Sequence, residues 1–258
     1  MAKVNIKSIQ GKDSGKMDLP SVFETYYRPD LIKRAVLSDE TKVRQPQGRY
    51  PLAGKMTVAS SEGPGRGIAK VPRTHSKGTH HSSRGALINS TRGGRLAHPP
   101  RVEKKIVEKI NKKEYALALK SAVSATGKEE IVRNRGHKVD EGIEFPIIVE
   151  DKFLEITKTS EMVQVLGNLG LEGDLERTKY RSIRSGKGKM RGRRHKTKIG
   201  PLLVINDNCN AELSARNIPG VTIVKVQDLK ISQLAPGTAA GRVTVWTESA
   251  VKQLEEWK

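Results

Sequence analysis

Cysteine, aromatic side chains and long apolar runs are all scarce in this chain. Cys209 is the single cysteine in 258 residues. That excludes an internal disulfide framework and a cysteine-rich zinc site, and makes a reducing compartment the expectation. Aromatic residues make up 4% of the sequence, so the base-stacking platforms of single-strand RNA readers are few. No apolar run reaches the ~18 residues a membrane span needs, and no apolar signal follows Met1. Acidic residues are adequate overall, yet they desert two particular stretches.

Those two stretches carry the charge. The chain has 48 Lys/Arg against 28 Asp/Glu, a net charge of +20. Residues 43–101 hold eleven Lys/Arg and one acid, Glu62, and residues 177–198 hold eleven Lys/Arg and no acid. The remainder, with 26 cations and 27 acids, is nearly neutral. Concentration of the whole excess in two segments is the layout of a protein that meets a polyanion. A membrane surface fits poorly, because neither stretch has an amphipathic aromatic and leucine face.

The first stretch also contains nine Gly, six Pro and four His. Its apolar residues Leu52, Met56, Ile68, Val71, Leu87 and Leu96 follow no helical or strand period, so it cannot offset its own ordering entropy. A long structureless loop of this kind is expected to be functional. If it is a simple hairpin, each nearly extended limb of roughly thirty residues reaches on the order of 50–90 Å. The second stretch alternates cations with Gly186, Gly188 and Gly192 and reads as another loop.

The rest of the chain reads as a folded body. Val4, Ile6 and Ile9 suggest a strand ending near Gly11. Helical spacing follows at Val22, Phe23 and Tyr26, then at Leu31, Ile32, Ala35 and Val36, with Pro29 starting a new helix. Beyond Pro99 and Pro100, the positions Val102, Ile106, Ile110, Leu117 and Val123 predict a helix closed by Gly127. Ile147 to Val149 reads as a buried strand, and TSEMVQVLGNLG as a helix ended by Gly167 and Gly170. The C-terminal third alternates PLLVIND, VTIVKV and RVTVW with helical pieces, and closes with TESAVKQLEEWK, where Ala250, Val251, Leu254 and Trp257 face inward. The expected fold is α/β, a mostly parallel sheet flanked by helices, with a long irregular basic loop projecting from one domain over residues 1–258.

Catalytic signatures do not assemble. Gly186-Lys187-Gly188-Lys189 lacks the spacing and the following Ser/Thr of a phosphate-binding loop, and GPGRG stands between no strand and helix. His75, His80 and His81 cluster without cysteine or carboxylate, so contacts to phosphates or bases are favoured over zinc. Asp207 and Asn208 follow a strand where open sheets bind ligands, but capping of the next helix is the simpler role. Tyr26, Tyr27 and Trp246 could stack on bases; their setting favours core packing. No cofactor, metal or small-molecule substrate is expected.

The candidate RNA-binding cations are therefore Arg44, Arg49, Lys55, Arg66, Lys70, Arg73, Lys77, Arg84, Arg92, Arg95 and Arg101 in the first loop. In the second they are Arg181, Arg184, Lys187, Lys189, Arg191, Arg193, Arg194 and Lys196. Arginine grips phosphate bidentately and glycine admits close backbone approach, which suits a large folded RNA. An RNA-modifying enzyme docked by these loops, or an unspecific nucleic-acid compactor, are the alternative readings.

The blocks GPGRGIAKVPR, GTHHSSRGAL and RGGRLAHPP, then GKGKMRGRRHK before GPLLV, and finally NIPGV, LAPG and GRVTVWTESA, closely resemble the large-subunit ribosomal protein L-four family in its archaeal and eukaryotic form. The resemblance covers nearly the whole chain in order. It implies a structural, non-enzymatic cytoplasmic constituent of the large ribosomal subunit that binds ribosomal RNA, touches neighbouring ribosomal proteins and supports assembly. It further implies that the long loop lines the nascent-peptide exit tunnel, with Gly65, Arg66, Gly67, Lys70 and Arg73 at its tip.

Overall fold

The computed structural model describes residues 3–207 and 209–257. Two compact units divide the chain: Met1–Glu40 with Lys109–Lys258 form the larger, and Thr41–Glu108 the smaller. In chain order the strands are β1 (Lys3–Lys7), β2 (Asp13–Asp18), β3 (Ala59–Ser60), β4 (Arg73–Thr74), β5 (Ile147–Val149), β6 (Ser182–Ile183), β7 (His195–Lys196), β8 (Leu202–Ile205), β9 (Thr222–Lys225) and β10 (Thr244–Thr247). The helices are α1 (Pro29–Lys42), α2 (Lys112–Thr126), α3 (Glu129–Asn134), α4 (Thr159–Leu166), α5 (Glu172–Lys179), α6 (Asn210–Ala215), α7 (Ile231–Leu234) and α8 (Glu248–Leu254).

The larger unit is α/β, as its sequence predicts. Its six-stranded sheet has the order β2-β1-β5-β10-β8-β9. Only the β1–β2 pair is antiparallel; the other neighbours run parallel. Parallel strands covered on both faces must be apolar on both, which is why β5 and β8 read as unbroken hydrophobic runs, while β10 flanks Val245 and Trp246 with the buried Thr244 and Thr247. Ile148, Leu202, Val204 and Trp246 face one core, shared with Ile32 and Val36 of α1, Ala118 and Ala122 of α2, and Val251 and Leu254 of α8. Ile147, Val149, Leu203 and Val245 face the other, with Met162 and Leu166 of α4 and Ala211 and Ala215 of α6. Each large side chain so buried contributes about 1.5–3 kcal/mol. The ring of Phe23 meets Trp246 edge-on, with centroids 5.6 Å apart.

Three local expectations change. The helix predicted from Val102 begins only at Lys112. Val102 and Val107 are exposed, so burial offers the preceding residues no helical stabilisation, while the Glu114 carboxylate accepts from the Asn111 N–H at 3.4 Å and closes the first turn. Leu117 is exposed because α2 turns Ala118, Ser121, Ala122 and Ala125 inward instead. Tyr26, expected inward, is 81% exposed. The Ser121 hydroxyl donates to the Tyr26 carbonyl at 3.1 Å and accepts from the Arg28 N–H at 2.7 Å, and the Ser124 hydroxyl donates to the Thr25 carbonyl at 2.6 Å. These bonds satisfy backbone groups outside any helix, so the helical period fails there.

Candidate nucleic-acid interface

The second basic segment does not begin as a loop. Arg177 and Lys179 belong to α5, and Arg177 acts inside the unit. Its Nη2 lies 2.7 Å from Asp174 Oδ1 and donates to the Ile199 carbonyl at 2.7 Å. One side chain thereby ties the start of the segment to its end. Asp174 is fully buried and also accepts from His137 Nδ1–H at 3.1 Å. Burial pushes the Asp174 carboxyl up, but the bonds from His137 and Arg177 outweigh it and hold the group below the usual carboxylate range.

Arg242 lies at the root of the same segment, 3% exposed. It donates to the carbonyls of Gly200 at 2.8 Å, Pro201 at 3.2 Å and Gln233 at 3.0 Å, and to Thr222 Oγ1 at 2.8 Å. Burial and the nearby Arg135 push its guanidinium down to about 10, so it remains charged at neutral pH.

Between these anchors residues 180–199 leave the body. Strands β6 and β7 pair antiparallel, Ser182 with Lys196 and Ile183 with His195, and a single turn spans Lys187–Arg191. Arg193 and Arg184 are held at the backbone by bonds to the Gly188 and Arg194 carbonyls at 3.1 and 2.8 Å. Arg181, Arg184, Lys187, Lys189, Arg191, Arg193, Arg194 and Lys196 are all exposed. A short ribbon with its cations outward has no core of its own. Its chemistry is directed entirely at what approaches it.

The smaller unit is a laddered arm. Its ends are joined where Glu108 N–H donates to Thr41 Oγ1 at 3.1 Å, and Arg49 N–H bonds the Pro100 carbonyl at 3.1 Å further out. Gly54 and Gly94 then let the limbs touch: a Cβ on Gly54 would fall 2.5 Å from the Gly94 oxygen. Beyond them β3 pairs β4, Ala59 with Thr74 and Ser60 with Arg73, and Arg73 also bridges Gly85.

Residues 61–72 form the loop past β3 and β4. Gly65 and Gly67 there have φ of 86° and 67°, with open space where a side chain would stand. Glycine is thus demanded by the backbone, and the room beside it stays available to a ligand. Arg66 and Lys70 are exposed, Arg66 lying 4.0 Å from Glu62.

Arg73 sits behind them in β4, half-buried, and its Nη1 donates to the Ser83 carbonyl at 2.8 Å. It braces the arm from within. Arg49 is half-buried as well, whereas Arg44, Lys55, Lys77, Arg84, Arg92, Arg95 and Arg101 are exposed.

The remaining candidates separate clearly. His75 Nε2 bonds Ser60 Oγ, and the His80 and His81 rings lie 3.9 Å apart. Among the described residues no group of three or more His, Cys, Asp or Glu could hold a metal ion, and no helix is long and apolar enough to cross a membrane. Cys209, not Asp207, occupies the position before α6, without a side-chain cap bond. Asp207 is exposed, and Asn208 lies outside the described residues. Trp246 is core, as expected. Sequence reasoning missed Arg177, His137, Asp174 and Arg242. A lone charge at 242 in the otherwise uncharged GRVTVW was the one available signal.

Fold and charge together define an α/β protein carrying two exposed cationic extensions. The family model described as "Ribosomal protein L4/L1 family" matches residues 17–257, and the chain belongs to that family. It is 46% identical to the large ribosomal subunit protein uL4 of Methanosphaera stadtmanae over 255 residues, covering 98% of this chain and 96% of that protein. The uL4 proteins of Methanocaldococcus jannaschii and Methanococcus vannielii are 48% and 45% identical, each match covering 98% of both chains.

Proposed function

We propose that this protein is a structural constituent of the cytoplasmic large ribosomal subunit, without catalytic function, that binds ribosomal RNA through residues 43–101 and 177–198. The supporting observation is the partition of charge. A nearly neutral body carries the whole excess on two extensions whose cations are, apart from Arg49, Arg73 and Arg177, exposed. Phosphate contacts from such extensions fix register on a folded RNA and support its assembly. Neighbouring ribosomal proteins are the further partners. The loop at residues 61–72, with Gly65, Arg66, Gly67 and Lys70, contributes to the wall of the nascent-peptide exit tunnel, and Arg73 braces it.

Deletion of residues 51–97 removes eight of the candidate cations. The shortened protein should keep its cooperative unfolding, bind large-subunit ribosomal RNA far more weakly, and show a flatter dependence of log affinity on log salt. Undiminished binding would overturn the assignment of the arm. Sedimentation of cell extract at high salt tests the whole reading: the protein should travel with large subunits, and a free light fraction contradicts it.

A further inference from the structure

The arm holds an open cleft of about 1030 Å³ between its own limbs, and neither the charge layout nor the tip explains it. One wall is apolar, with Val58 and Leu87; the rest presents His75, His81, Arg84 and Arg92. None of the described residues lining it is acidic. The walls are tied together rather than merely adjacent. Thr74 N–H bonds the Arg84 carbonyl at 3.0 Å, Ser83 N–H the Thr74 carbonyl at 3.2 Å, and Ala86 N–H the Pro72 carbonyl at 2.8 Å. Thr91 Oγ1 also donates to the Ile88 carbonyl at 2.9 Å.

Leu87 is held at φ 65°. That left-handed conformation is unfavourable for a bulky side chain, and such conformations cluster where a ligand is clamped. The geometry of the cleft points to one unpaired RNA nucleotide as its occupant. The base lies against Val58, Leu87 and the His81 ring, whose centroid is 3.9 Å from that of the His80 ring with the two planes tilted by 42°, and the flanking phosphates meet the exposed guanidiniums of Arg84 and Arg92. An apolar slot with an imidazole face and cations at its lip matches the way single-stranded RNA presents an unstacked base. A duplex has no such element to insert, and an acidic peptide would leave the apolar wall unfilled.

This inference rests on the RNA-binding reading and adds a site to it. The full-length protein and its Ala86→Trp variant, whose indole fills the cleft, are bound to large-subunit ribosomal RNA of Methanocaldococcus jannaschii and probed with dimethyl sulfate. Wild type should shield one unpaired base, or a few adjacent ones, that A86W leaves reactive, and A86W should bind about tenfold more weakly, the contribution of one stacked base. In a second arm, a photoreactive phenylalanine analogue replaces the exposed Val58 and should crosslink to that same nucleotide. Identical footprints for wild type and A86W, or crosslinks confined to duplex RNA, would overturn the site while leaving the basic loops intact. Failure of the unmodified protein to bind the RNA would instead overturn the proposed function.

Discussion

Arg242 donates its Nε–H to the Gly200 carbonyl at 2.8 Å, where the second basic segment rejoins the sheet. Replacement by methionine would remove the charge and leave several buried carbonyls without a donor. Arg242→Met should lower stability by about 3 kcal/mol in urea unfolding, the cost of orphaned buried acceptors. Stability equal to wild type would mean that water replaces the guanidinium.

Asp174 gives a prediction in acid. Its carboxyl is held below the usual range in the folded state, so its contribution is present above about pH 4 and is lost as pH falls through the folded value. Asp174→Ala should cost about 3 kcal/mol at pH 7, because Arg177 and His137 lose a buried partner. The wild-type and variant stability curves should converge below pH 4; parallel curves would refute the assignment.

Tyr115 behaves in the opposite direction. Burial, reinforced by its hydrogen bond to Asp39 at 2.9 Å, pushes the phenol up to about 12. The unfolded phenol ionises near 10, so the stabilisation is complete below that pH and disappears as pH rises toward 12. Ultraviolet titration of the folded protein should show a late-ionising tyrosine component, and Tyr115→Phe should abolish it.

Gly94 tests the arm separately from the body. A Cβ there would overlap the Ile88 carbonyl, so Gly94→Val must distort the turn that residues 88–94 form within one limb. Tryptophan fluorescence should report an almost unchanged unfolding midpoint, since Trp246 is buried among the body's helices. Affinity for large-subunit RNA should drop about tenfold, or roughly 1.4 kcal/mol. Equal affinity would show that this turn does not set the arm's shape.

Limited trypsin digestion of the free protein should cut first at the exposed Arg66, Lys70 and Lys77, because loops without apolar burial open at little cost. RNA should slow those cuts selectively. Initial cleavage within α2 or α8 would contradict this order.

The sheet was readable wherever burial left apolar or β-branched residues in a row. Ile147–Val149, Leu202–Ile205 and Thr244–Thr247 stand as strands in both sequence and structure. Strand β2, DSGKMD, was not readable, since an exposed edge strand is charged and glycine-containing and has no alternation to detect. The basic loops were visible as charge and glycine, properties that need no folding to count. Arg177 could not be separated from the cations after it, because its role depends on Asp174 and on the Ile199 carbonyl, which only the folded chain brings to it. Tyr26 departs from its expected place for a similar reason: two serines nearly a hundred residues away fix the carbonyls of Tyr26 and of its neighbour Thr25.

Both basic excursions return to where they started, one latched by Arg177 on Ile199 and the other by Glu108 on Thr41. A segment whose ends already meet adds little loop-closure entropy when it lengthens, only about 0.6 kcal/mol per doubling. The body can therefore serve as a chassis with two exchangeable cassettes. Either excursion could be shortened, extended or replaced by an unrelated RNA-reading sequence while the sheet and its two cores remain as they are.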